Sequence, residues 1–242
     1  MLALLIATHL FYPQGAWLPR YDFLALAALA IQLAMLGFRL ETWDEAKVIL
    51  AFHVAGTIME VFKTAHGSWL YPEPSYLRIG DVPLFSGFMY AAVGSYIARI
   101  WRIFEIRTSH FPPLWQPALL AFAIYVNFFA HHWLWDARYL LLAATAAIFW
   151  RTFFWFRPFR RYRRMHILPG FLLVALFIWL AENIGTLSQA WRYPNQRHGW
   201  EMVPLTKLVA WYLLMIISFV LVALVRRPEP MEEGDQPTVS SR

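Results

Sequence analysis

The chain has 242 residues, 60% hydrophobic, 18% aromatic and only 15% charged, with a formal net charge of +6. A water-soluble domain of this length would carry more charge and fewer Trp and Phe, so that class is excluded. The lack of Cys excludes disulfides and thiolate metal sites, and the basic excess lies in short connections beside apolar runs, where it reports membrane topology rather than nucleic-acid binding.

Eight apolar segments are predicted as helices, over residues 1–12, 22–39, 44–63, 82–104, 115–131, 138–156, 167–187 and 206–225. All but the first are near the ~20 residues that cross a ~30 Å hydrocarbon layer. The first would reach only about 18 Å as a helix. We therefore expect either a start codon placed late, truncating a longer helix, or seven spanning helices with the N-terminus outside. No cleavable signal is read, because the start lacks a basic segment and a small-residue cleavage site. Pro83, Pro117 and Pro169 fall in first turns, where a missing N–H costs little, and Pro13, Pro112, Pro113 and Pro158 punctuate connections.

With both termini inside, fourteen of the 21 Lys and Arg fall on the cytoplasmic side, dominated by the run from Arg157 to Arg164. That run reads as an orientation anchor beside anionic lipid. Residues 228–242 are polar and rich in Pro, Gly and Ser, and read as a disordered cytoplasmic tail. The expected protein is thus an all-α, polytopic helix bundle of the bacterial inner membrane. Residues 1–227 form a single transmembrane domain, and lipid, not nucleic acid, is the surrounding partner.

One pattern occurs twice. Glu60, Thr64, Trp69, Tyr71-Pro72 and Val82-Pro83-Leu84 match Glu182, Thr186, Trp191, Tyr193-Pro194 and Val203-Pro204-Leu205, with identical spacing from Glu to Pro. Arg20-Tyr21 before Leu24-Ala25 likewise resembles Arg138-Tyr139 before Leu142-Ala143. This predicts a 4+4 repeat, halves about 1–111 and 112–227. An even helix number per half makes the repeat parallel and puts both Trp-x-Tyr-Pro loops outside.

Carboxylates inside a membrane are costly and usually have a task. The segment holding Glu60 aligns His53, Gly56, Thr57, Glu60, Lys63 and Thr64 on one helical face. That face is either a packing seam eased by Gly56 and Thr57 or the wall of a site. Glu182 keeps Thr186 but has no counterpart of His53 or Lys63. Asn127 and His131 share a face near the end of the fifth segment, beside an aromatic belt. Gly87 and Gly94, with Ser86 and Tyr90, suit close helix packing. His53 and His131 could ligate one haem across helices, and His53, Glu60 and His131 a metal ion, but neither signal is specific: the second His that a two-haem arrangement needs is lacking on both helices, and no Cys-x-x-Cys-His occurs. No cofactor and no metal are expected. The candidate site comprises Glu60, His53 and Lys63 as chemical groups, and Thr57, Trp69, Tyr71, Tyr90, Asn127, His131 and Glu182 as its walls.

The run Met59-Glu60-Val61-Phe62-Lys63-Thr64-Ala65-His66-Gly67-Ser68-Trp69, then Tyr71-Pro72-Glu73 and Val82 to Tyr96, resembles the signature of the YoaT-like bacterial integral-membrane proteins. Asn127-Phe128-Phe129, His131-His132 and Asp136-x-Arg138 fit it too. That resemblance covers nearly the whole chain and implies a membrane bundle without an assigned activity. A fainter pattern, a membrane Glu, Gly, Tyr and then Val-Pro-Leu, is similar to the lycopene-cyclase and carotenoid-hydratase membrane families. It implies that Glu60 protonates a C=C bond of an isoprenoid while Trp69, Tyr71 and Tyr90 face the carbocation. Those cyclases carry an acidic pair where Phe85-Ser86 stands here. The two expectations are a lipid- or isoprenoid-modifying enzyme and, as the alternative, a small-solute or proton-coupled transporter with Glu60 and Glu182 at the repeat interface.

Overall fold

The computed structural model describes residues 1–13 and 15–231. In chain order the helices are α1 (Leu2–Phe11), α2 (Arg20–Gly37), α3 (Trp43–Ala65), α4 (Phe85–Ile103), α5 (Trp115–Ala130), α6 (Arg138–Phe149), α7 (Ile167–Leu187) and α8 (Thr206–Val225). Among the described residues, six short strands accompany them: β1 (Arg78–Ile79), β2 (Val82–Pro83), β3 (Arg107–Ser109), β4 (Phe153–Phe156), β5 (Arg163–His166) and β6 (Glu229–Pro230). Among the described residues these eight helices fall on the predicted apolar runs, except that α4 starts later than expected and α6 ends earlier. Four of them, α2, α3, α7 and α8, are long and apolar enough to cross a membrane. The protein is a mostly helical, multi-pass membrane protein with some sheet.

Two compact units divide the chain, Met1–Ser95 with Phe177–Lys207, and Tyr96–Leu176 with Leu208–Arg242. In the first, α3 starts with a reciprocal cap. The Glu45 N–H donates to Thr42 Oγ1 (3.3 Å) and the Thr42 N–H to Glu45 Oε2 (2.8 Å). Asp44 and Glu45 in its first turn and Lys63 in its last complement the helix dipole. Helices α3 and α4 pack through glycines. A Cβ on Gly56 would lie 2.5 Å from the Tyr90 ring, and one on Gly94 2.7 Å from Phe52. Gly56 therefore leaves the space that Tyr90 occupies. Antiparallel β1 and β2 turn at Gly80-Asp81, with Gly80 at φ +59°. Helix α4 thus begins at Phe85 and not at Val82.

Buried Arg20 and Tyr21, at the start of α2, tie the loops of this unit down. The Arg20 guanidinium donates to Thr8 Oγ1 (3.1 Å), to the Ser188 carbonyl (2.9 Å) and to Glu73. The Tyr21 hydroxyl donates to the Ala190 carbonyl (2.9 Å). Asp22 accepts from the Ser75 hydroxyl and from the backbone N–H groups of Tyr76 and Leu77.

In the second unit, α5 and α6 form a hairpin, and aromatic rings make up much of the core. Phe219 stacks on Trp101 (5.4 Å between centroids) and touches Phe171 (5.0 Å) and Phe154 (5.6 Å). Here the all-α expectation is corrected. A four-stranded sheet runs β5-β4-β3-β6, with β3–β4 and β4–β5 antiparallel and β3–β6 parallel. The helix expected over 138–156 ends at Phe149, and Phe153–Phe156 becomes the central strand β4. An unbroken apolar run has no period to separate helix from strand, and its aromatic residues favour the strand once partners exist. The expected tail begins in order, since β6 lies beside β3 and the Met231 N–H donates to the Thr108 carbonyl (3.0 Å). Residues 232–242 lie outside the described residues.

Candidate functional site: two buried glutamates and their tyrosines

Helix α3 ends in a turn that sets up everything after it. The Gly67 N–H donates to the Thr64 carbonyl (2.9 Å) and the Ser68 N–H to the Lys63 carbonyl (3.0 Å), with Gly67 at φ +67°. This is a Schellman stop. Helix α7 ends in the same way at the corresponding positions. The Gln189 N–H donates to the Thr186 carbonyl (3.0 Å) and the Ala190 N–H to the Gly185 carbonyl (3.0 Å), with Gln189 at φ +54°. Each stop sends the chain back past the last helical turns. Tyr71 thereby returns to Glu60, and Tyr193 to Glu182.

Glu60 and Glu182 are 4% and 3% exposed, so their oxygens depend on protein partners. Three neutral donors converge on Glu60. Trp69 Nε1 (2.7 Å) and the Tyr71 hydroxyl (2.6 Å) donate to Oε2, and the Tyr90 hydroxyl (2.8 Å) donates to Oε1. On Glu182 the Tyr193 hydroxyl donates to Oε1. Enclosure of the Tyr71 hydroxyl, and after it the charge of Glu60, pushes its pKa well above the usual tyrosine range. Burial and Glu182 do the same to Tyr193. Both tyrosines are thus donors throughout the physiological pH range.

The two loops also pair with each other. Leu70 and Arg192, the x positions of the two Trp-x-Tyr-Pro motifs, form an antiparallel bridge, each N–H donating to the other's carbonyl (3.0 and 2.9 Å). The Trp69 ring meets the Tyr193 ring edge-on at 6.1 Å. Lys207 Nζ lies 4.3 Å from the Tyr193 ring centroid and 5.7 Å from that of Trp69, within cation–π range. The copies differ at one telling place. Where α3 has Lys63, α7 has Gly185, and the Trp191 ring fills that space, so close that a Cβ on Gly185 would be 2.0 Å away. Trp191 is thus a packing residue, whereas Trp69 donates to a carboxylate.

Beside this cluster the same loops enclose a cavity of about 240 Å³. Trp69 and Tyr71 line it, as do Thr64, Ser75, Arg78, Asp81, Arg192 and Arg197. Two of Glu60's three donors are therefore also cavity walls.

Of the residues expected at the site, the structure brings Trp69, Tyr71 and Tyr90 onto Glu60. Lys63 is buried one turn further along α3. His53 and Thr57 lie at the α3–α4 contact. The His53 ring packs against Phe88 (4.7 Å) and crowds Gly87, and the Thr57 hydroxyl donates to the His53 carbonyl (2.7 Å). Asn127 and His131 belong to the second unit. There Asn127 closes the α5–α6 turn, its Oδ1 accepting from the Ala137 N–H (2.9 Å) and its Nδ2 donating to Asp136 (3.2 Å). His131 Nδ1 lies 3.0 Å from the Asn127 carbonyl. Sequence reasoning missed Tyr193, Lys207 and Arg192. Extending the Glu60–Tyr71 pairing to the second copy of the motif would have supplied Tyr193.

Comparison with known proteins finds relatives of this chain in sequence and in fold. The chain is 44% identical over 211 residues to the uncharacterized protein YoaT of Bacillus subtilis (strain 168), covering 87% of this chain and 80% of that protein. Among solved structures it is similar to MvINS, a mycobacterial Insig homolog from Mycobacterium vanbaalenii, with a TM-score of 0.51 and 14% identity. The match covers 78% of this chain and 98% of that one. A cross-linked trimer of an MvINS variant matches over the same shares with a TM-score of 0.50. At that identity the likeness speaks for the fold alone. The sequence model of the family described as "Protein of unknown function (DUF817)" matches residues 1–219, and the chain belongs to that family.

Proposed function

We propose that this protein is a proton-coupled carrier of a small polar solute, acting in the bacterial inner membrane with its C-terminus in the cytoplasm. The observation that carries the reading is the double role of Trp69 and Tyr71, which hold Glu60 and wall the polar cavity at the same time. A solute that moved either side chain would change how firmly Glu60 holds a proton, because each such bond to a charged group is worth about 1.5–3 kcal/mol. Glu182, with Tyr193, is the second proton station. The two motifs, with matching helix stops and a reciprocal Leu70–Arg192 bridge, support a parallel 4+4 repeat whose halves meet at the loops. Carriers are commonly built on such repeats.

The isoprenoid-modifying reading asks for an apolar face on Glu60 where a polyene could lie. The neighbouring cavity instead mixes Arg78, Asp81, Arg192 and Arg197 with Trp69, Leu70 and Pro83, and Trp69, Tyr71 and Tyr90 occupy the carboxylate. The polar-solute reading therefore stands first.

The test is proton flux in proteoliposomes that hold the full chain and enclose a pH-sensitive dye. Gradients of dicarboxylates, phosphate, amino acids and sugars are imposed in turn. At least one should drive proton movement in the wild type, and Glu60→Gln and Glu182→Gln should each abolish it. Absence of flux for every solute, with an altered lipid profile in cells carrying Glu60→Gln, would replace the carrier with the lipid-modifying enzyme.

A further inference from the structure

We infer that the cavity between the two Trp-x-Tyr-Pro loops binds a small oxyanion, a molecule bearing a carboxylate or phosphate group. This deepens the carrier reading by naming the solute class and rests on it for the transport that follows binding. At about 240 Å³ the cavity is below the ~300–1,000 Å³ of pockets for drug-sized ligands, which limits the guest to a few functional groups.

Charge decides which groups. Three guanidinium side chains line the cavity, from Arg78 in the β1–β2 hairpin and from Arg192 and Arg197 in the loop after α7. Among the described residues, Arg78 and Arg197 make no side-chain hydrogen bond or ion pair. Arg192 gives one N–H to Gln189 Oε1 (2.6 Å) and keeps the rest of its fork. Two carboxylates share the lining. Glu73 is already paired with buried Arg20, and Asp81 is exposed in the hairpin turn. The wall therefore presents three cations against one uncommitted anion.

A second observation comes from Thr64, which lines the same cavity. Its hydroxyl oxygen is buried and has no hydrogen-bond partner among the described residues. Buried polar atoms rarely go unpaired, so the polar groups of this wall are incompletely satisfied by the protein itself. Guanidinium forks match pairs of oxygens on carboxylate and phosphate groups. The rings of Trp69 and Tyr71 offer an apolar side for the rest of the molecule. A neutral solute would gain no ion pairing from these guanidinium groups, and a cationic one would be repelled by them.

The oxyanion has two possible sources, a free metabolite or a lipid headgroup, and one experiment separates them. The purified full chain is placed in nanodiscs of zwitterionic lipid. Tryptophan fluorescence and thermal unfolding are followed during titration with succinate, inorganic phosphate and, as neutral control, glycerol. A parallel sample uses nanodiscs containing phosphatidic acid and no soluble anion. Saturable binding of succinate or phosphate, absent for glycerol, is expected for a free metabolite. Stabilisation only in the phosphatidic acid discs assigns the site to a headgroup. In either case the exposed substitutions Arg78→Gln and Arg197→Gln should each weaken the effect about ten-fold. No saturable response from either source overturns the inference, and so does unchanged affinity in the double variant. Anion binding without proton flux in proteoliposomes leaves this site standing and removes the carrier reading. Flux without anion binding does the reverse.

Discussion

Replacing Tyr71 with Phe removes one hydroxyl and nothing else, which makes it the sharpest probe of the Glu60 cluster. That hydroxyl donates to Glu60 Oε2 at 2.6 Å, and Trp69 Nε1 (2.7 Å) and Tyr90 (2.8 Å) remain. A hydrogen bond to a charged group contributes about 1.5–3 kcal/mol. Two surviving donors keep the carboxylate partly satisfied, so we place the loss near the lower end, about 1.5–2 kcal/mol. At about 2–4 °C per kcal/mol for a chain of this size, the midpoint should fall by roughly 3–8 °C. The assay is thermal unfolding of the protein in detergent followed by circular dichroism, run as a double-mutant cycle with Glu60→Gln. If Tyr71 acts by satisfying the carboxylate, the double variant should be more stable than the sum of the single losses predicts, by about 1 kcal/mol. Additive losses, or a Tyr71→Phe midpoint within about 1 °C of wild type, would refute the idea that Tyr71 is held for Glu60.

Two further outcomes follow from the caps and turns. Gln189 ends α7 at φ +54°, a conformation that costs a side-chain-bearing residue about 1 kcal/mol, whereas Gly67 ends α3 in the same way without that cost. Gln189→Gly should therefore raise stability by about 0.5–1 kcal/mol and Gly67→Ala should lower it by a similar amount, read from the two midpoints; shifts of the same sign would contradict the cap assignment. At the α5–α6 turn, burial would raise the Asp136 pKa, but hydrogen bonds from the Arg138 guanidinium, the Arg138 N–H and Asn127 outweigh it and lower it from 3.8 to about 2. A depressed carboxyl stabilises the fold above its unfolded pKa, and this contribution is lost as pH falls from 3.8 through about 2. The Asp136 side chain is 29% exposed, so after discounting for solvent the contribution is about 1–2 kcal/mol. The wild-type midpoint should thus drop more steeply than that of Asp136→Asn across this range, and parallel acid titrations would count against the assignment.

Much of the fold was readable before the structure because it rests on local chemistry. Pro117 and Pro169 fall at helix starts as expected, and the ends of the apolar runs mark most helix ends to within a few positions. The Glu-to-Tyr spacing was legible too, although its meaning was not. Eleven residues bring Tyr71 to Glu60 only because a left-handed residue at Gly67 turns the chain back. Arg20 illustrates the opposite case. Its sequence neighbours suggest an ordinary charged helix start, yet it is buried on the Ser188 carbonyl and Glu73, partners remote in sequence.

Sequence alone thus determined that the chain is an apolar, helical membrane protein, where its helices run, and that two glutamates occur in the same local context. Those properties follow from composition, period and capping, which act within a few residues. Tertiary structure decided which donors reach Glu60, that Leu70 and Arg192 pair, that Trp191 fills the space left by Gly185, and that Phe153–Phe156 is a strand. It also gathered Arg78, Arg192 and Arg197 around one cavity. Each of these depends on segments brought together by packing, most of them far apart in the chain, and no local pattern carries that information.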